Sequence, residues 1–225
     1  MSNFYFKITD EVLPLGIKAF GVRIKDVKIV QHNDELEAHK NQELAKIKTV
    51  WIGKNLEEDV VLKGFRDLHK KVGRSNRKYI ASPEALISFL LEKDRLPKIN
   101  TLVDIYNLIS CQSRLAFGAH DVSKITGGVT LKLNNGIEYF TPLEKNESEI
   151  IQSGEYGYVD ENNQIICRLE VLQCDSTRIT TNTNDVFMLA QGNSNVDSDH
   201  VKSSLRQACE LIQKFCGGSL EYLNE

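Results

Sequence analysis

The sequence lacks the features that mark several large classes of protein. Its formal net charge of −3 over 225 residues provides no general basic coat for binding nucleic acid along the whole surface. No run approaches the roughly 20 apolar residues of a membrane span, and the N-terminus has neither a basic start nor an apolar stretch. We therefore expect a soluble, cytoplasmic protein with no membrane partner, whose contacts with any nucleic acid are local.

Motifs for metals and common cofactors are also missing. The five cysteines are odd in number and form no C-x-x-C pair, which argues against a zinc site or a disulfide framework. The chain has neither a Walker-type phosphate loop nor a G-x-G-x-x-G segment. We expect neither a metal nor a cofactor.

The chain does have enough apolar residues, 41% by count, for one sizeable core. We expect a single domain over residues 1–225. Its N-terminal strands and helices occupy 1–81, a motif-bearing core occupies 82–191, and a C-terminal helix lies within 192–225.

Apolar residues that recur every three or four positions predict the helices. Ser82-Pro83-Glu84 is a helix start, at which Ser82 is expected to accept from an unpaired backbone amide. Gly217-Gly218 is a helix stop. The predicted helices cover 34–51, 56–72, 82–93, 101–113 and 198–216.

Alternating apolar residues predict the strands. Two strands are expected in the first thirty residues, joined by Pro14-Leu15-Gly16, and a hairpin is expected around Asn135-Gly136. A second hairpin joins 156–159 to 164–168, and another strand covers 186–190. The expected fold class is α+β.

Two segments carry a family resemblance. Pro97–Asn107 reads P-K-I-N-T-L-V-D-I-Y-N, and Asp121–Gly128 reads D-V-S-K-I-T-G-G. They are similar, in order and spacing, to P-x-I-N-x-V-D-x-x-N and D-x-x-K-I-x-G-G of the B3/B4 editing module in the beta subunit of phenylalanyl-tRNA synthetase. Downstream segments resemble free-standing relatives of that module: Gly154-Glu155, Tyr158-Val159-Asp160, Cys167-Arg168 and the polar positions at Gln173, Asp175 and Thr177.

The resemblance implies a three-layer fold with a β-sandwich-like core flanked by helices. It also implies binding of the aminoacylated 3′ end of a tRNA and hydrolysis of a mischarged amino acid in trans, a form of translation quality control. A positioned water and fixed polar donors suffice for such ester hydrolysis. Nothing resembles the synthetase's catalytic core, so activation with ATP is not implied. The alternative is a non-catalytic module that binds RNA or an amino acid and acts through a partner protein.

The sequence departs from the synthetase pattern at three pocket positions. Tyr106 replaces a small hydroxyl residue, and Gly118 and Leu189 stand where a His and a Glu are expected. Those two polar residues help bacterial synthetases read a tyrosine hydroxyl. We therefore expect a preference for an amino acid other than tyrosine.

The resemblance points to a set of polar site residues. Asp175 and Gln173 are the predicted catalytic residues, and the predicted substrate-binding residues are Asn100, Asp104, Asn107, Arg168 and Thr177. Other roles remain open for some of them. Asn100 also suits a helix cap, Asp104 and Asn107 also suit ordering of the following loop, and Arg168 also suits a surface salt bridge.

Three further features have two interpretations each. Cys167 fits a buried structural cysteine better than a nucleophile, and His120 beside Asp121 fits either a loop or an oriented base. A basic cluster in an otherwise acidic chain fits tRNA phosphates or a solvated helix face. Its predicted RNA-binding members are Lys70, Lys71, Arg74, Arg77 and Lys78.

Overall fold

The computed structural model describes residues 4–145 and 147–224. Five α-helices lie in this part of the chain: α1 Asp34–Trp51, α2 Val60–Lys71, α3 Ser82–Lys93, α4 Thr101–Ser113 and α5 Ser198–Cys216. The helices predicted over 34–51, 82–93, 101–113 and 198–216 are confirmed at those bounds. No helix among the described residues is both long enough and apolar enough to cross a membrane.

Helix α2 begins four residues later than predicted. Leu56–Glu58 forms a separate 3-10 turn. The Asp59 carboxylate then accepts from the backbone amides of Val61 and Leu62, both at 3.0 Å. Because such a cap satisfies two unpaired amides, it fixes a new helix start at Val60.

The starts of α3 and α4 differ in how they are capped. The Asn100 side chain accepts from the Val103 amide at 3.0 Å, so its capping role is confirmed. Ser82 was expected to cap α3, and this was wrong. Ala81 occupies the cap position without a side-chain bond, and the Ser82 hydroxyl is buried with no hydrogen-bond partner among the described residues.

The strands form two main sheets and one short pair. The strands are β1 Phe6–Ile8, β2 Lys18–Lys25, β3 Ala116–Asp121, β4 Val129–Leu133, β5 Tyr139–Phe140, β6 Glu149–Ile150, β7 Tyr156–Asp160, β8 Ile165–Arg168, β9 Leu172–Gln173, β10 Asp185–Gly192 and β11 Ser219–Tyr222. Sheet I has the order β1-β4-β7-β8-β9, and sheet II has the order β11-β2-β10-β3. Strands β1 and β4 pair in parallel, whereas the other strand ladders of the described residues are antiparallel.

The N-terminal strands were located correctly but do not pair with each other. A 3-10 helix over Asp10–Leu15 joins β1 to β2, and the two strands belong to different sheets. The hairpin of β7 with β8 and the strand at β10 are confirmed.

The hairpin predicted at Asn135-Gly136 is wrong. Strand β4 pairs with β7 and β1, whereas β5 pairs with β6. The buried Glu138 carboxylate explains this, because it accepts from the amides of Asn135 at 2.9 Å and Gly136 at 3.2 Å. A side chain therefore takes up the backbone amides of the turn. The Asn134 amide donates to the Glu155 carbonyl, just before β7, at 2.7 Å and so extends the pairing of β4 with β7.

Sheet II is the middle of three layers. Phe187 of β10 contacts Phe6 of β1, with ring centroids 5.4 Å apart, and the Tyr158 hydroxyl of β7 donates to Gln191 of β10 at 2.6 Å. Alternate residues of a strand point to opposite faces, and the other face of β10 meets α5, where Gly192 lies against Val201. Helix α4 packs between α5, α1 and α3 and also against β3. The predicted sandwich-like core flanked by helices is therefore confirmed.

Candidate ligand-binding cavity

A cavity of about 450 Å³ opens where α3 and α4 meet the ends of both sheets. Its volume lies in the roughly 300–1,000 Å³ range of small-molecule sites. We call the residues contributed by the helices and their leading segments the helix wall: Ile80, Ser82, Ala85, Leu86, Phe89, Pro97, Ile99, Val103, Tyr106 and Asn107. We call those contributed by strands and strand turns the sheet wall: Ala116, Phe117, Gly118, Cys167, Glu170, Val171, Gln173 and Leu189.

Half of the helix wall comes from the first matched segment, Pro97–Asn107. Asp104 anchors this segment, because its carboxylate pairs with the buried Lys40 of α1 at 2.6 Å and accepts from the Ile99 amide at 2.9 Å. The Asn100 side chain is occupied by its capping bond from the Val103 amide. Asp104 and Asn100 therefore hold the wall in place from behind, and Asn107 is the predicted polar residue of α4 that lines the cavity.

Two polar groups of the helix wall remain available to a ligand. The Asn107 amide makes no hydrogen bond with another described residue, and neither does the buried Ser82 hydroxyl. The Ser82 hydroxyl is buried, and a buried polar group without a partner costs free energy. The Asn107 amide lines the cavity, where a ligand or a water can bond to it. Three apolar side chains from separate segments are exposed beside them at the cavity's edge: Ile80, Ile99 and Leu143.

Gln173 joins the two walls. Its side chain bonds to the hydroxyl of Tyr106, whose pKa burial raises. Its amide nitrogen also lies 3.1 Å from the position that a Cβ on Gly118 would occupy. Gly118 pairs with Leu189 in the register of β3 and β10, and both line the cavity. The three positions at which the sequence departs from the synthetase pattern are thus brought together with Gln173.

A strained turn forms another part of the sheet wall. Leu169 and Glu170 both have positive φ, 58° and 51°, and the Val171 amide bonds to the Arg168 carbonyl at 3.2 Å. This is a type I′ turn, whose two central positions usually hold Asn or Gly. Here they hold two larger residues, and both are buried. Such strain persists only when the surrounding structure holds it.

Glu170 was not predicted, although it lines the cavity and is 4% exposed. Its Oε1 lies 2.6 Å from His69 Nε2 of α2. Its Oε2 accepts from the Tyr156 hydroxyl and, at 3.3 Å, from the Gln191 amide. The available sequence signal is a single acidic residue within the apolar stretch from Ile165 to Leu172.

The pKa of His69 reflects this contact. Burial alone would lower the pKa, but the hydrogen bond and the charge of Glu170, together with the Tyr79 carbonyl, raise it above the usual value for histidine. His69 Nδ1 lies 3.1 Å from that carbonyl. Both ring nitrogens therefore have acceptors, which suits a protonated imidazole.

The remaining predicted substrate and catalytic residues lie away from the cavity surface. Arg168 pairs with the buried Glu155 at 2.6 Å and with Glu149 at 2.8 Å, so its salt bridge is largely buried. Asp175 accepts from the Glu144 amide at 3.2 Å and pairs with Arg178 at 3.4 Å. Of the two predicted catalytic residues, Gln173 lines the cavity. Asp175 is not among the described residues that line it.

Thr177 and His120 form a buried pair behind Gly118. His120 Nδ1 lies 2.7 Å from the Thr177 hydroxyl. Its Nε2 has no partner among the described residues and lies 3.9 Å from the position of a Cβ on Gly118. Burial lowers the pKa of His120 to about 3. His120 is thus neutral at physiological pH and lies on a strand, not in a loop.

Cys167 lines the cavity, but its surroundings suppress the thiolate. Burial, followed by the nearby Glu170 charge, raises its pKa far above that of a free thiol. The interpretation of Cys167 as a structural cysteine agrees with this environment.

Most of the predicted RNA-binding cations already have partners. Arg74 pairs with the buried Glu155, Lys70 pairs with Asp67, and Lys71 donates to the Leu15 carbonyl. Arg77 and Lys78 have no acidic partner in the part of the chain that the structure describes. They lie three and two residues, respectively, before Ile80, which lines the cavity.

No group of three or more His, Cys, Asp and Glu side chains among residues 4–145 and 147–224 is arranged to hold a metal ion.

Comparisons with known proteins agree with this architecture. The family model of the B3/4 domain matches residues 65–217. The crystal structure of an N-terminal fragment of the phenylalanyl-tRNA synthetase beta-subunit from Pyrococcus horikoshii is similar with a TM-score of 0.53 and 12% identity, over 97% of this chain and 50% of that one. This chain thus spans half the length of that fragment, and at this identity the likeness shows the fold. No curated protein matches by sequence. Because the family model covers more than half of its residues, the chain belongs to the B3/4 domain family.

Proposed function

We propose that the protein binds the aminoacylated 3′ end of a tRNA in this cavity and hydrolyses a mischarged amino acid from it in trans. The observation that carries the proposal is the pairing of an apolar cavity with the Asn107 amide on the matched segment of α4, which has no hydrogen-bond partner among the described residues. The fold shared with the synthetase fragment supports it.

The cavity suits an amino-acid side chain attached to a polar ester. Phe89, Leu86 and Val103 of the helix wall offer apolar surface to the side chain. Asn107, Ser82 and Gln173 offer donors and acceptors to the ester, the terminal ribose or a bound water. The exposed apolar edge at Ile80, Ile99 and Leu143 offers a surface on which a nucleobase can pack.

The proposed reaction needs no nucleophilic side chain. A water oxygen adds to the ester carbonyl carbon, and the bond between that carbon and the ribose oxygen breaks. The ribose oxygen takes one proton, the amino acid leaves with a free carboxylate, and the second proton passes to solvent. Gln173 and Asn107 are proposed to position the water and to stabilise the developing oxyanion.

The basic residues nearest the cavity are proposed to contact the tRNA backbone. Arg77 and Lys78 precede Ile80 and have no acidic partner among the described residues. Cations placed this way neutralise phosphates and make binding depend on salt. Lys70, Lys71 and Arg74 remain part of the proposed RNA surface, but their present partners reduce what each can add.

The preferred amino acid is proposed to be one without a phenolic hydroxyl. Gly118 and Leu189 leave no polar side chain at the two positions that read that hydroxyl in bacterial synthetases. The proposed substrates are therefore tRNAs mischarged with other apolar amino acids.

A panel of mischarged tRNAs incubated with substoichiometric protein tests the proposal. We expect more than one turnover on at least one apolar substrate, slower hydrolysis of the tyrosyl ester, and loss of turnover when Asn107→Ala and Gln173→Ala are combined. Saturable binding that protects the ester throughout the panel would contradict hydrolysis and would support the non-catalytic binding module instead.

A further inference from the structure

Tyr106, Gly118 and Gln173 come from distant parts of the chain and meet at one point of the cavity, which all three line. Tyr106 belongs to α4 in the helix wall, and its hydroxyl is bonded to the side chain of Gln173 in the sheet wall. The Gln173 amide nitrogen lies 3.1 Å from the position that a Cβ on Gly118 would occupy. The two walls are therefore joined here by side chains that belong to the cavity's own lining.

Gly118 leaves the room that the Gln173 amide fills. It lies inside β3 and is not among the described glycines with positive φ, so the strand backbone does not require a glycine there. A glycine inside a strand weakens the strand and often marks a site where another group approaches closely. A Cβ at 3.1 Å from the amide nitrogen would be tighter than an ordinary contact. A side chain at this position would therefore push against the amide.

The backbone of Gln173 is also held in place. Gln173 pairs with Cys167 in the register of β8 and β9, and its carbonyl accepts from the Leu143 amide at 3.3 Å. A glutamine side chain nevertheless has several rotatable bonds, so a fixed backbone does not by itself fix the amide. The contact with Tyr106 supplies the restraint at the far end of the side chain.

The direction of the bond follows from its effect on the Tyr106 hydroxyl. Burial raises the pKa of that hydroxyl, whereas the bond with Gln173 acts to lower it. A hydrogen bond lowers the pKa of an acid when its partner donates to the ionised form. The Gln173 amide nitrogen is therefore the donor to Tyr106. The amide oxygen makes no hydrogen bond with another described residue and is the acceptor left for a water or a ligand.

We infer that Tyr106 is a positioning residue, which together with Gly118 holds the Gln173 amide so that its oxygen accepts from the attacking water. The inference rests on the proposed function for the identity of that water. Tyr106 acts through Gln173 and touches no reacting atom. The amide oxygen orients the water by accepting a hydrogen bond, and the proton transfers are those of the proposed hydrolysis.

A double-mutant cycle on the best mischarged tRNA of the panel tests this role. Tyr106→Phe removes the hydroxyl but keeps the ring, and we expect kcat to fall about tenfold, as for one lost hydrogen bond, with KM within about twofold. Adding Tyr106→Phe to Gln173→Ala should cause no further loss. An unchanged rate for Tyr106→Phe, or losses that multiply in the double variant, would overturn the inference.

Tyr139→Phe is the matched control. The Tyr139 hydroxyl also donates to a glutamine, Gln164, at 3.5 Å, but Tyr139 is not among the described residues that line the cavity. We expect this variant to keep the wild-type rate. A loss equal to that of Tyr106→Phe would overturn the assignment, because it would show that the effect does not depend on the contact with Gln173.

Gly118→Ala approaches the same amide from the other side. Its added methyl should displace the Gln173 amide and lower kcat, and the loss should disappear in the Gln173→Ala background, where the methyl has room. A loss of the same size in both backgrounds would show that Gly118 does not act through Gln173, and would overturn this part of the inference.

Nuclear magnetic resonance of the ¹⁵N-labelled protein tests the contact without any tRNA. The side-chain amide signals of Gln173 are assigned by their loss in Gln173→Ala. We expect Tyr106→Phe to shift these signals and Tyr139→Phe to leave them unchanged. A shift in a protein that does not deacylate would support the contact and contradict the proposed function. Deacylation with no shift in Tyr106→Phe would contradict this inference alone.

Discussion

The two walls of the cavity are built on different physical principles. The helix wall is continuous in sequence, is mainly apolar, and is held from behind by the Asn100 cap and the Asp104–Lys40 pair. The sheet wall comes from four strands and a strained turn, and it carries Glu170. The comparison indicates that the helix wall depends on contacts close to one stretch of the chain, whereas the sheet wall depends on contacts between segments that are distant in sequence.

The two walls should differ most in how much a single substitution lowers the free energy of unfolding. Glu170→Leu leaves three buried donors without their acceptor, and we expect it to lower the free energy of unfolding by about 3–5 kcal/mol. Phe89→Ala on the helix wall trims a half-buried ring and should cost about 1 kcal/mol. Denaturant unfolding of both variants measures the difference. Equal costs would mean that the carboxylate is not integral to the sheet wall.

Hydrolysis should distinguish Gln173 from Asp175, its near neighbour in sequence. Gln173 lines the cavity, and its substitution by Ala should lower kcat/KM on a mischarged tRNA by about 10²-fold. The Asp175 carboxylate accepts from the Glu144 backbone amide and pairs with the Arg178 side chain. Although the sequence favoured Asp175 as catalytic, we now expect Asp175→Ala to change the rate by less than about threefold.

Cys167→Ala is the control for a thiol mechanism on the sheet wall. It should keep most of the activity, because burial suppresses the thiolate. A fully inactive but folded Cys167→Ala protein would contradict the water-based route.

The two histidines behind the sheet wall should respond to pH with opposite signs. His120, with its folded pKa near 3, resists protonation. Its contribution is present above the unfolded value of about 6.5 and is lost on acidification, by up to about 1.4 kcal/mol per pH unit. His69 has a raised pKa. Its contribution is full below about 6.5 and is lost as pH rises through the raised value.

Unfolding curves of His120→Gln and His69→Gln, each compared with wild type across pH, measure both effects. The stability gap for His120→Gln should shrink or reverse in acid, and the gap for His69→Gln should shrink at alkaline pH. Parallel curves would contradict the assigned environments.

The smallest expected effect concerns tRNA binding next to the helix wall. Arg77→Glu with Lys78→Glu should weaken binding and reduce the salt slope by about one unit for each phosphate that the protein no longer neutralises. Lys214→Glu, near the end of α5, changes a cation that pairs with Glu35 and should leave the slope unchanged. Equal slopes in the wild-type protein and both variants would show that the cluster is a solvated face.

The helix wall was predictable because its signals are local. The bounds of α3 and α4 follow from apolar spacing and from Pro83 and Asn100 near the helix starts. The first matched segment supplied Asn107. Ser82 was misread as a cap because Ala81 occupies the cap position and the Ser82 hydroxyl is buried without bonding to a backbone amide.

The sheet wall was not predictable in the same way, because its contacts are distant in sequence. Glu170 meets His69 from 101 residues away, and Leu169-Glu170 gives no turn signal in the sequence. The Asn135-Gly136 signal was strong but misleading, since the Glu138 side chain satisfies that turn. Interactions that the local pattern does not encode decided each of these features.

Deacylation of a mischarged tRNA by the wild-type protein and by Asn107→Ala tests the central claim most directly. Asn107 lies on the helix wall and is proposed to position the attacking water. We expect the wild-type protein to turn over more than once and Asn107→Ala to lower kcat/KM by about 10²-fold. Equal rates for the two proteins, or protection of the ester by the wild-type protein, would contradict the account.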